Sequence, residues 1–215
     1  MNESGPEYSS PACFLHELDS GAGDAIPPQN PAEAQEDLRL WRKARREALI
    51  AQRLALTPEE RTAASDRITE RLEALLATEP RCLGFYWPFR GEYDPRPLVR
   101  ALHRNGVPLA LPVVVAKAQP LIFRPWWPGI KMAHGVWQIP IPAEGEPVQP
   151  DTLLVPLVGF DGSRYRLGYG GGFYDRTIAA MTSRPRTIGI GFQCGRLRTI
   201  HPQSYDIPMD EIVVA

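Results

Sequence analysis

Cysteine is scarce in this sequence of 215 residues. Cys13, Cys82 and Cys194 are an odd number and include no Cys-x-x-Cys pair, so neither a disulfide framework nor a zinc site is indicated. No apolar run approaches the length of a membrane span. We therefore expect a protein of the cytoplasm, which is a reducing compartment, and no membrane partner.

Lysine and arginine are absent from the first 37 residues, which hold eight of the 25 acidic side chains. The other 17 acidic residues are accompanied by all 24 basic ones, so residues 38–215 carry a net charge of +7. The N-terminal segment lacks the features of a secretory signal and of a transit peptide. Its Ser, Gly, Pro and acidic residues predict a disordered tail over residues 1–36. Residues 37–215 are predicted to form a single α/β domain suited to anionic ligands.

A first helix is predicted over residues 38–56. Its apolar positions recur every three or four residues and predict a narrow packing face: Trp41, Ala44, Ala48, Ala51 and Ala55. Arg42, Arg46 and Arg53 lie four and seven residues apart and align in one cationic stripe. Spacing alone leaves this stripe open to two interpretations, a solvated face or an anion-binding face.

Strands and helices alternate through the rest of the sequence. A capping-box pattern at Thr57 and Glu60 starts a second helix that runs to about residue 78. Further helices are predicted at residues 95–105 and 173–181. Apolar runs predict strands at residues 82–87, 108–115, 121–126, 152–160 and 187–192. This order predicts a mostly parallel α/β sheet with helices on both faces, and a ligand beyond the carboxyl ends of its strands.

Prolines are frequent between residues 112 and 156. This composition predicts loops and short edge strands rather than a separate domain. The tryptophans of the stretch, Trp126, Trp127 and Trp137, either line a cleft or fill core beneath the loops.

The most informative segment is residues 166–176, Arg-Leu-Gly-Tyr-Gly-Gly-Gly-Phe-Tyr-Asp-Arg. Its glycines allow positive φ and a close approach of an anion to backbone amides, and a helix that follows would add its positive N-terminal end. Arg166 and Arg176 would neutralise phosphate oxygens. The segment is not a Walker loop, because Gly172 is followed by Phe173 rather than lysine, and the third glycine of a dinucleotide fingerprint is missing. A flexible glycine hairpin is the structural alternative.

Residues 38–215 resemble the 5-formyltetrahydrofolate cyclo-ligase family, also called methenyltetrahydrofolate synthetases. The resemblance rests on the arginine-striped helix, on Gly91-Glu92 after a strand, on the glycine segment, and on Asp206 and Asp210 near the C-terminus. It implies a fold similar to the sugar-phosphate isomerase and CoA-transferase class.

The resemblance implies an enzyme that uses ATP and magnesium to convert 5-formyltetrahydrofolate to 5,10-methenyltetrahydrofolate. The reaction would pass through a phosphorylated formyl intermediate and release ADP and phosphate. The implied partners are ATP and a reduced folate, which can be polyglutamylated, and no nucleic acid. We expect a monomer.

The resemblance also assigns site residues. The ATP-binding positions are Arg42, Arg46, Arg166, Leu167, Gly168, Tyr169, Gly170, Gly171, Gly172, Phe173 and Tyr174, with Arg166 and Tyr174 also assigned to catalysis. The folate-binding positions are Arg46, Trp87, Glu92, Tyr169, Gly170, Gly171, Gly172 and Phe173. The magnesium positions are Asp175 and Asp206.

Three places depart from the family pattern: Arg42 replaces a lysine, Arg164 replaces a common glycine, and residues 138–142 lack the glutamate of a Gly-Ile-x-Glu-Pro segment. Considered without the resemblance, Asp175 would cap a helix or pair with Arg176, and Asp206 would be a turn residue. The alternative function is a noncatalytic regulator that binds nucleotide or folate. RNA binding through the arginine-rich helix is a third interpretation, although the sequence has no recognised RNA motif.

Overall fold

The computed structural model describes residues 30–78 and 80–215. Residue contacts divide the chain into two units, residues 1–37 and residues 38–215. Helix α1 (Pro31–Leu54) begins seven residues before the predicted residue 38, so residues 31–36 of the predicted tail are helical. The prediction of disorder for residues 1–29 lies outside the described residues, and the domain division stays a prediction.

Three further helices lie close to their predicted positions: α2 (Pro58–Leu75), α3 (Arg96–Arg104) and α4 (Phe173–Ala180). The predicted capping box starts α2, because the Glu60 amide donates to Thr57 Oγ1 (3.2 Å) and the Thr57 amide donates to Glu60 Oε2 (2.9 Å). Both bonds satisfy amides that have no partner within the helix. Within residues 30–78 and 80–215, no helix is long and apolar enough to cross a membrane.

The strands of the described chain are β1 (Leu83–Gly84), β2 (Leu109–Val113), β3 (Ile122–Trp126), β4 (Met132–His134), β5 (Pro140–Pro142), β6 (Thr152–Pro156), β7 (Gly159–Phe160), β8 (Arg166–Leu167), β9 (Arg186–Gly191) and β10 (Glu211–Val214). Six of them form the central sheet in the order β10-β9-β6-β1-β2-β3. Only β3 is antiparallel to its neighbour. Two small antiparallel hairpins, β4-β5 and β7-β8, accompany the sheet.

Successive residues of the central strands pack against helices on opposite faces of the sheet. Leu154 belongs to one core cluster together with Ile68 and Leu72 of α2 and residues of α3. Leu153 and Val155 belong to another with Ile178 of α4. This confirms the predicted α/β class, a mostly parallel sheet with helices on both faces.

The single strand predicted at residues 152–160 is wrong, because the chain leaves the central sheet after Pro156. The Leu157 amide still donates to Ile190 of β9 (2.9 Å), whereas the Val158 amide donates to Leu167 of β8 (2.9 Å). The apolar run therefore continues from a buried strand into a hairpin. That turn carries the glycine segment to the carboxyl end of the sheet.

The predicted packing face of α1 is also wrong. Ala44, Ala48, Ala51 and Ala55 are exposed. The buried residues of the helix are Arg42, Leu49 and Arg53. The arginine stripe faces inward because its guanidinium groups donate hydrogen bonds to loop carbonyls. Apolar side chains could not satisfy these carbonyls.

Replacement of Thr57 tests whether its capping hydrogen bond stabilises α2. Thr57→Ala removes the acceptor for the Glu60 amide, and we expect it to lower the free energy of unfolding by about 1 kcal/mol. Thr62→Ala, at an exposed position inside the same helix, is the control and should not lower the free energy of unfolding, because alanine is the better helix former. Denaturant titrations followed by circular dichroism measure both, and equal values for the two variants would contradict the capping argument.

Candidate active site

The glycine segment forms the loop between β8 and α4. Gly170 has a φ of +93° and Gly172 a φ of +62°, a region that favours glycine. Gly172 is the residue that caps α4, and a Cβ there would come within 2.8 Å of Arg176 Nη1. The backbone conformation therefore disfavours a side chain at both positions, and at Gly172 the Arg176 side chain would also have to move.

The amides of this loop are available to a ligand. The backbone amides of residues 168–172 donate no hydrogen bond to any residue in the described part of the chain. Arg46 lies over the loop, where its Nε donates to the Gly168 carbonyl (2.7 Å). Burial lowers the pKa of Arg46, and the neighbouring charge of Arg42 lowers it further. A cation and unpaired amides on one concave turn are an arrangement that binds phosphate.

Arg166 and Asp175 form a bidentate ion pair at the start of α4. Arg166 Nη1 donates to Asp175 Oδ1 (2.9 Å) and Nη2 to Oδ2 (3.0 Å). The exposed fractions of the two side chains are 5% and 16%. The Ile207 amide also donates to Asp175 Oδ1 (3.1 Å). The partner of Asp175 is thus Arg166, not the adjacent Arg176, and the aspartate also binds the C-terminal segment.

Arg42 and Asp206 form a second buried pair. Arg42 Nη2 donates to Asp206 Oδ2 (2.5 Å), and both side chains are 10% exposed. Arg42 also donates to the carbonyls of Ile200 (3.2 Å) and His201 (2.8 Å). The Gln203 amide donates to Asp206 Oδ2 (2.7 Å). The arginine therefore fixes the segment before Asp206 to α1, which a lysine with a single nitrogen could not do in the same way.

The two aspartates supply the chemistry that magnesium requires. Carboxylate oxygens are hard ligands, and protein-bound magnesium commonly takes only one or two of them together with substrate phosphates and water. No group of three or more His, Cys, Asp or Glu side chains within residues 30–78 and 80–215 is placed to hold a metal ion. Asp175 and Asp206 thus fit a magnesium ion that arrives with a nucleotide, not one bound by the protein alone.

Arg53 connects α1 to three other parts of the site. Its side chain is buried, and its nitrogens donate to the carbonyls of Arg90 (3.0 Å) and Leu157 (3.1 Å) and to the Tyr169 hydroxyl (2.7 Å). The Tyr169 hydroxyl in turn donates to Glu92 Oε1 (2.8 Å). A continuous chain of hydrogen bonds therefore runs from the first helix through the glycine loop to Glu92.

Glu92 lies at the far end of that chain and is half-buried. Burial raises its pKa to about 7, although bonds from the Phe89 amide and the Tyr169 hydroxyl and the charge of Arg53 act in the opposite direction. Burial and the nearby Glu92 also raise the pKa values of Tyr169 and Tyr174. Both hydroxyls therefore keep their protons at neutral pH, while Glu92 can change its charge there.

Three aromatic rings form a cluster, and two of its residues, Phe89 and Tyr169, bind Glu92. Phe89 and Trp137 are stacked, with ring centroids 6.1 Å apart and planes within 9°, and Tyr169 lies 5.8 Å from Phe89. Trp137 is 55% exposed and has a φ of +57°, an unusual backbone for a bulky residue. An exposed tryptophan held in this way is an open platform for a planar ring.

Most predicted site residues come together at the carboxyl ends of β1 and β6. Those that meet by direct contact are Arg42 with Asp206, Arg166 with Asp175, Arg46 with the glycine loop, and Tyr169 with Glu92. Arg166 also lies over the Tyr174 ring at 5.7 Å. Trp87 is half-buried and carries the Arg96 guanidinium over its ring at 4.9 Å. The assigned ligand contacts of all these residues stay predictions.

Sequence reasoning missed Phe89 and the full role of Arg53, and it left Trp137 undecided. The spacing of the arginine stripe could have predicted the role of Arg53, because this residue shares a helix face with Arg42 and Arg46. Trp126 proves to be core and Trp137 is exposed at the site, so the two interpretations of the tryptophans apply to different residues. No local pattern marks Phe89 or Trp137, because chain reversals bring them together.

Arg164, which departs from the family pattern, lies in a turn with positive φ. Its φ is +67°, a conformation that glycine adopts without cost, and its Nη1 donates to the Asp210 carbonyl (2.7 Å). The arginine thus adopts a turn conformation typical of glycine and adds a bond to the C-terminal segment.

A model of the 5-formyltetrahydrofolate cyclo-ligase family matches residues 38–215. The chain belongs to the 5-formyltetrahydrofolate cyclo-ligase family. Membership confirms the resemblance and makes the protein an enzyme, a ligase of folate one-carbon metabolism with cyclo-ligase activity. The interpretations as a noncatalytic regulator and as an RNA-binding protein are not carried further.

Relatives of this cyclo-ligase family member agree in sequence and fold. The 5-formyltetrahydrofolate cyclo-ligase of Escherichia coli K12 is 30% identical over 169 residues, which are 75% of this chain and 93% of that protein. The structure of Aquifex aeolicus 5,10-methenyltetrahydrofolate synthetase is 28% identical, with a TM-score of 0.70, and the match covers 80% of this chain and 89% of that one. The Mycoplasma pneumoniae 5,10-methenyltetrahydrofolate synthetase, 24% identical with a TM-score of 0.67 over 80% of this chain and 97% of its own, shares the fold.

The raised pKa of Glu92 predicts how stability depends on pH. The folded carboxyl keeps its proton up to about pH 7, whereas its ordinary pKa is 4.5, so the folded state binds more protons between these values. Stability should therefore fall as pH rises through this window. Glu92→Gln cannot ionise and should be more stable than the wild type at pH 8, by about 2 kcal/mol.

Denaturant titrations between pH 4.5 and pH 8 measure the effect. The exposed Glu70 provides the control, since Glu70→Gln should follow the wild-type curve. A Glu92→Gln curve parallel to the wild type across the window would mean that the buried carboxyl is not held protonated.

Proposed function

We propose that this protein converts 5-formyltetrahydrofolate to 5,10-methenyltetrahydrofolate with ATP and magnesium, through a phosphorylated formyl intermediate. The observation that carries the proposal is the position of Tyr169. Its backbone belongs to the glycine loop, while its ring and hydroxyl belong to the aromatic and Glu92 side of the site. A nucleotide on the loop and a pterin on the aromatic rings would then be neighbours, as direct phosphoryl transfer requires.

The formyl group needs activation, because donation from N5 keeps its carbon electron-rich and its oxygen is a poor leaving group. In the proposed course the formyl oxygen forms a bond to the γ-phosphorus as the bond to the ADP oxygen breaks. N10 then attacks the formyl carbon and loses its proton. Phosphate departs with the C–O bonding pair and leaves the positively charged methenyl bridge between N5 and N10.

The phosphate side of this reaction requires positioning and charge neutralisation. We assign these tasks to Arg42, Arg46, Arg166 and the amides of the glycine loop, since they present donors in a fixed geometry. Magnesium held by Asp175 and Asp206 would neutralise charge on the phosphate oxygens. Tyr174, whose ring lies under the Arg166 guanidinium, would keep that arginine in place beside the transferred group.

The folate side requires recognition of a planar ring. We assign Glu92 to the N–H donors of the pterin, because a carboxylate accepts two such bonds. Phe89, Trp137 and Tyr169 would stack on the ring, and Trp87 stays the further predicted contact. No covalent bond to the protein is required, so Glu92 orients the substrate and is not a nucleophile. The monomeric state, the cytoplasmic location and the acceptance of polyglutamylated folate stay predictions.

The decisive assay mixes the full chain with ATP, magnesium chloride and 5-formyltetrahydrofolate and follows the near-ultraviolet band of the methenyl product. We expect product and an equal amount of ADP. Omission of ATP should abolish the signal. Binding of MgATP without any methenyl product would refute the proposed function.

Removal of the exposed ring tests the folate side. Trp137→Leu should raise KM for 5-formyltetrahydrofolate about tenfold, because a stacking surface is lost. KM for ATP should stay nearly unchanged. Trp127→Leu is the matched control, since Trp127 is 48% exposed but outside the aromatic cluster. A rise in both KM values, or the same effect from the control, would count against a pterin platform at Trp137.

A further inference from the structure

The cations of the proposed phosphate site are already paired with carboxylates in the protein itself. Arg166 gives both of its terminal nitrogens to Asp175, and Arg42 gives its shortest bond to Asp206. These are the same two aspartates that fit a magnesium ion. Phosphate and carboxylate therefore compete for the same guanidinium donors.

We infer that Asp175 and Asp206 act as internal competitors of phosphate and so make the site select nucleotide that carries its divalent cation. This inference rests on the proposed function. A nucleotide without metal must take the arginines from their carboxylates and leave two buried negative charges beside its own. A nucleotide with magnesium supplies a new partner for each carboxylate at the moment its phosphates occupy the arginines.

The charges of the site support this selection. Asp175 and Asp206 cancel two of the four positive charges of Arg42, Arg46, Arg166 and Arg176, so the site attracts a free triphosphate less strongly than its arginines alone would. All four paired side chains are at most 16% exposed. Screening by water is therefore weak, and an uncompensated carboxylate next to phosphate is strongly unfavourable. The divalent ion removes that penalty because it neutralises charge on both sides.

The two pairs are connected, so their exchange of partners should be coupled. The Ile207 amide donates to Asp175 and follows Asp206 directly in the chain, and the Gln203 amide donates to Asp206. One short segment, residues 203–207, thus binds both carboxylates. Arg46 stands apart, because its observed partner is the Gly168 carbonyl, and it is the cation best placed to meet a phosphate first.

The test compares binding of ATP in excess EDTA with binding of ATP in excess magnesium, by calorimetry at one ionic strength. The wild type should bind the magnesium complex more tightly. Asp175→Asn and Asp206→Asn each keep an acceptor oxygen for the neighbouring amide but remove the competing charge. Each should bind metal-free ATP about tenfold more tightly than the wild type and lose most of the preference for the magnesium complex.

Asp210→Asn is the matched control. Asp210 pairs with Arg184 at 3.0 Å in the same C-terminal region, its side chain is 40% exposed, and asparagine keeps an acceptor for the Thr187 amide, so its replacement should change both affinities less than about twofold. Unchanged or weaker binding of metal-free ATP by both site variants would overturn the inference. An equal gain in the control would also overturn it, since the effect would then be one of overall charge.

A measurement on the unaltered chain keeps the inference testable if the variants fail to fold. The carboxyl ¹³C resonances of Asp175 and Asp206 should shift on addition of MgATP, because the carboxylates change partner from arginine to metal. They should move little with ATP in EDTA. Equal shifts under both conditions would contradict the exchange. Binding results as expected with no methenyl product would refute the proposed function and leave the inference standing.

Discussion

The site depends on the inward orientation of the arginines of α1. Burial of a guanidinium group is unfavourable unless each donor finds an acceptor, and loss of one partner of a buried pair typically costs about 3–5 kcal/mol. Arg42 and Arg53 meet this requirement with carbonyls and side chains from segments far away in the sequence. The loops at the carboxyl end of the sheet are therefore held by the same helix that supplies the cations.

The two ends of the site stabilise their charged groups in different ways. At the phosphate side, ion pairs neutralise the buried arginines. At the proposed folate side, no ion pair joins Glu92 to another described residue, and its carboxyl group accepts from the Tyr169 hydroxyl and the Phe89 amide. Its raised pKa follows from that difference. The two ends of the site thus have different electrostatic character, although a single tyrosine belongs to both.

Periodicity and motif were sufficient to predict much of the architecture. The apolar runs located five of the six strands of the central sheet and missed β10, the cap at Thr57 located α2, and the glycine density located the loop that lies between β8 and α4. These signals are local, and each is a direct property of backbone geometry. The break after Pro156 was missed, because a buried strand and a buried hairpin strand have the same apolar composition.

The errors on α1 have one physical origin. An amphipathic pattern assumes that the apolar side of a helix faces the protein, whereas here arginine side chains find their partners inside and the alanines face outward. Phe89 and Trp137 were beyond prediction for another reason, since their contact depends on how two loops fold back. The pairing of Arg166 with Asp175 likewise required the hairpin that the sequence did not reveal.

The buried face of α1 also sets the distance between Arg42 and Arg53. Arg42 and Arg53 are eleven residues apart, which corresponds to about 16 Å along a helix. One end lies at Asp206 and the other at Tyr169 and the Glu92 loop. The helix thus fixes the distance between these two parts of the protein. Substitutions on its alanine side leave this distance intact, whereas an insertion of one residue would rotate one end by about 100° against the other.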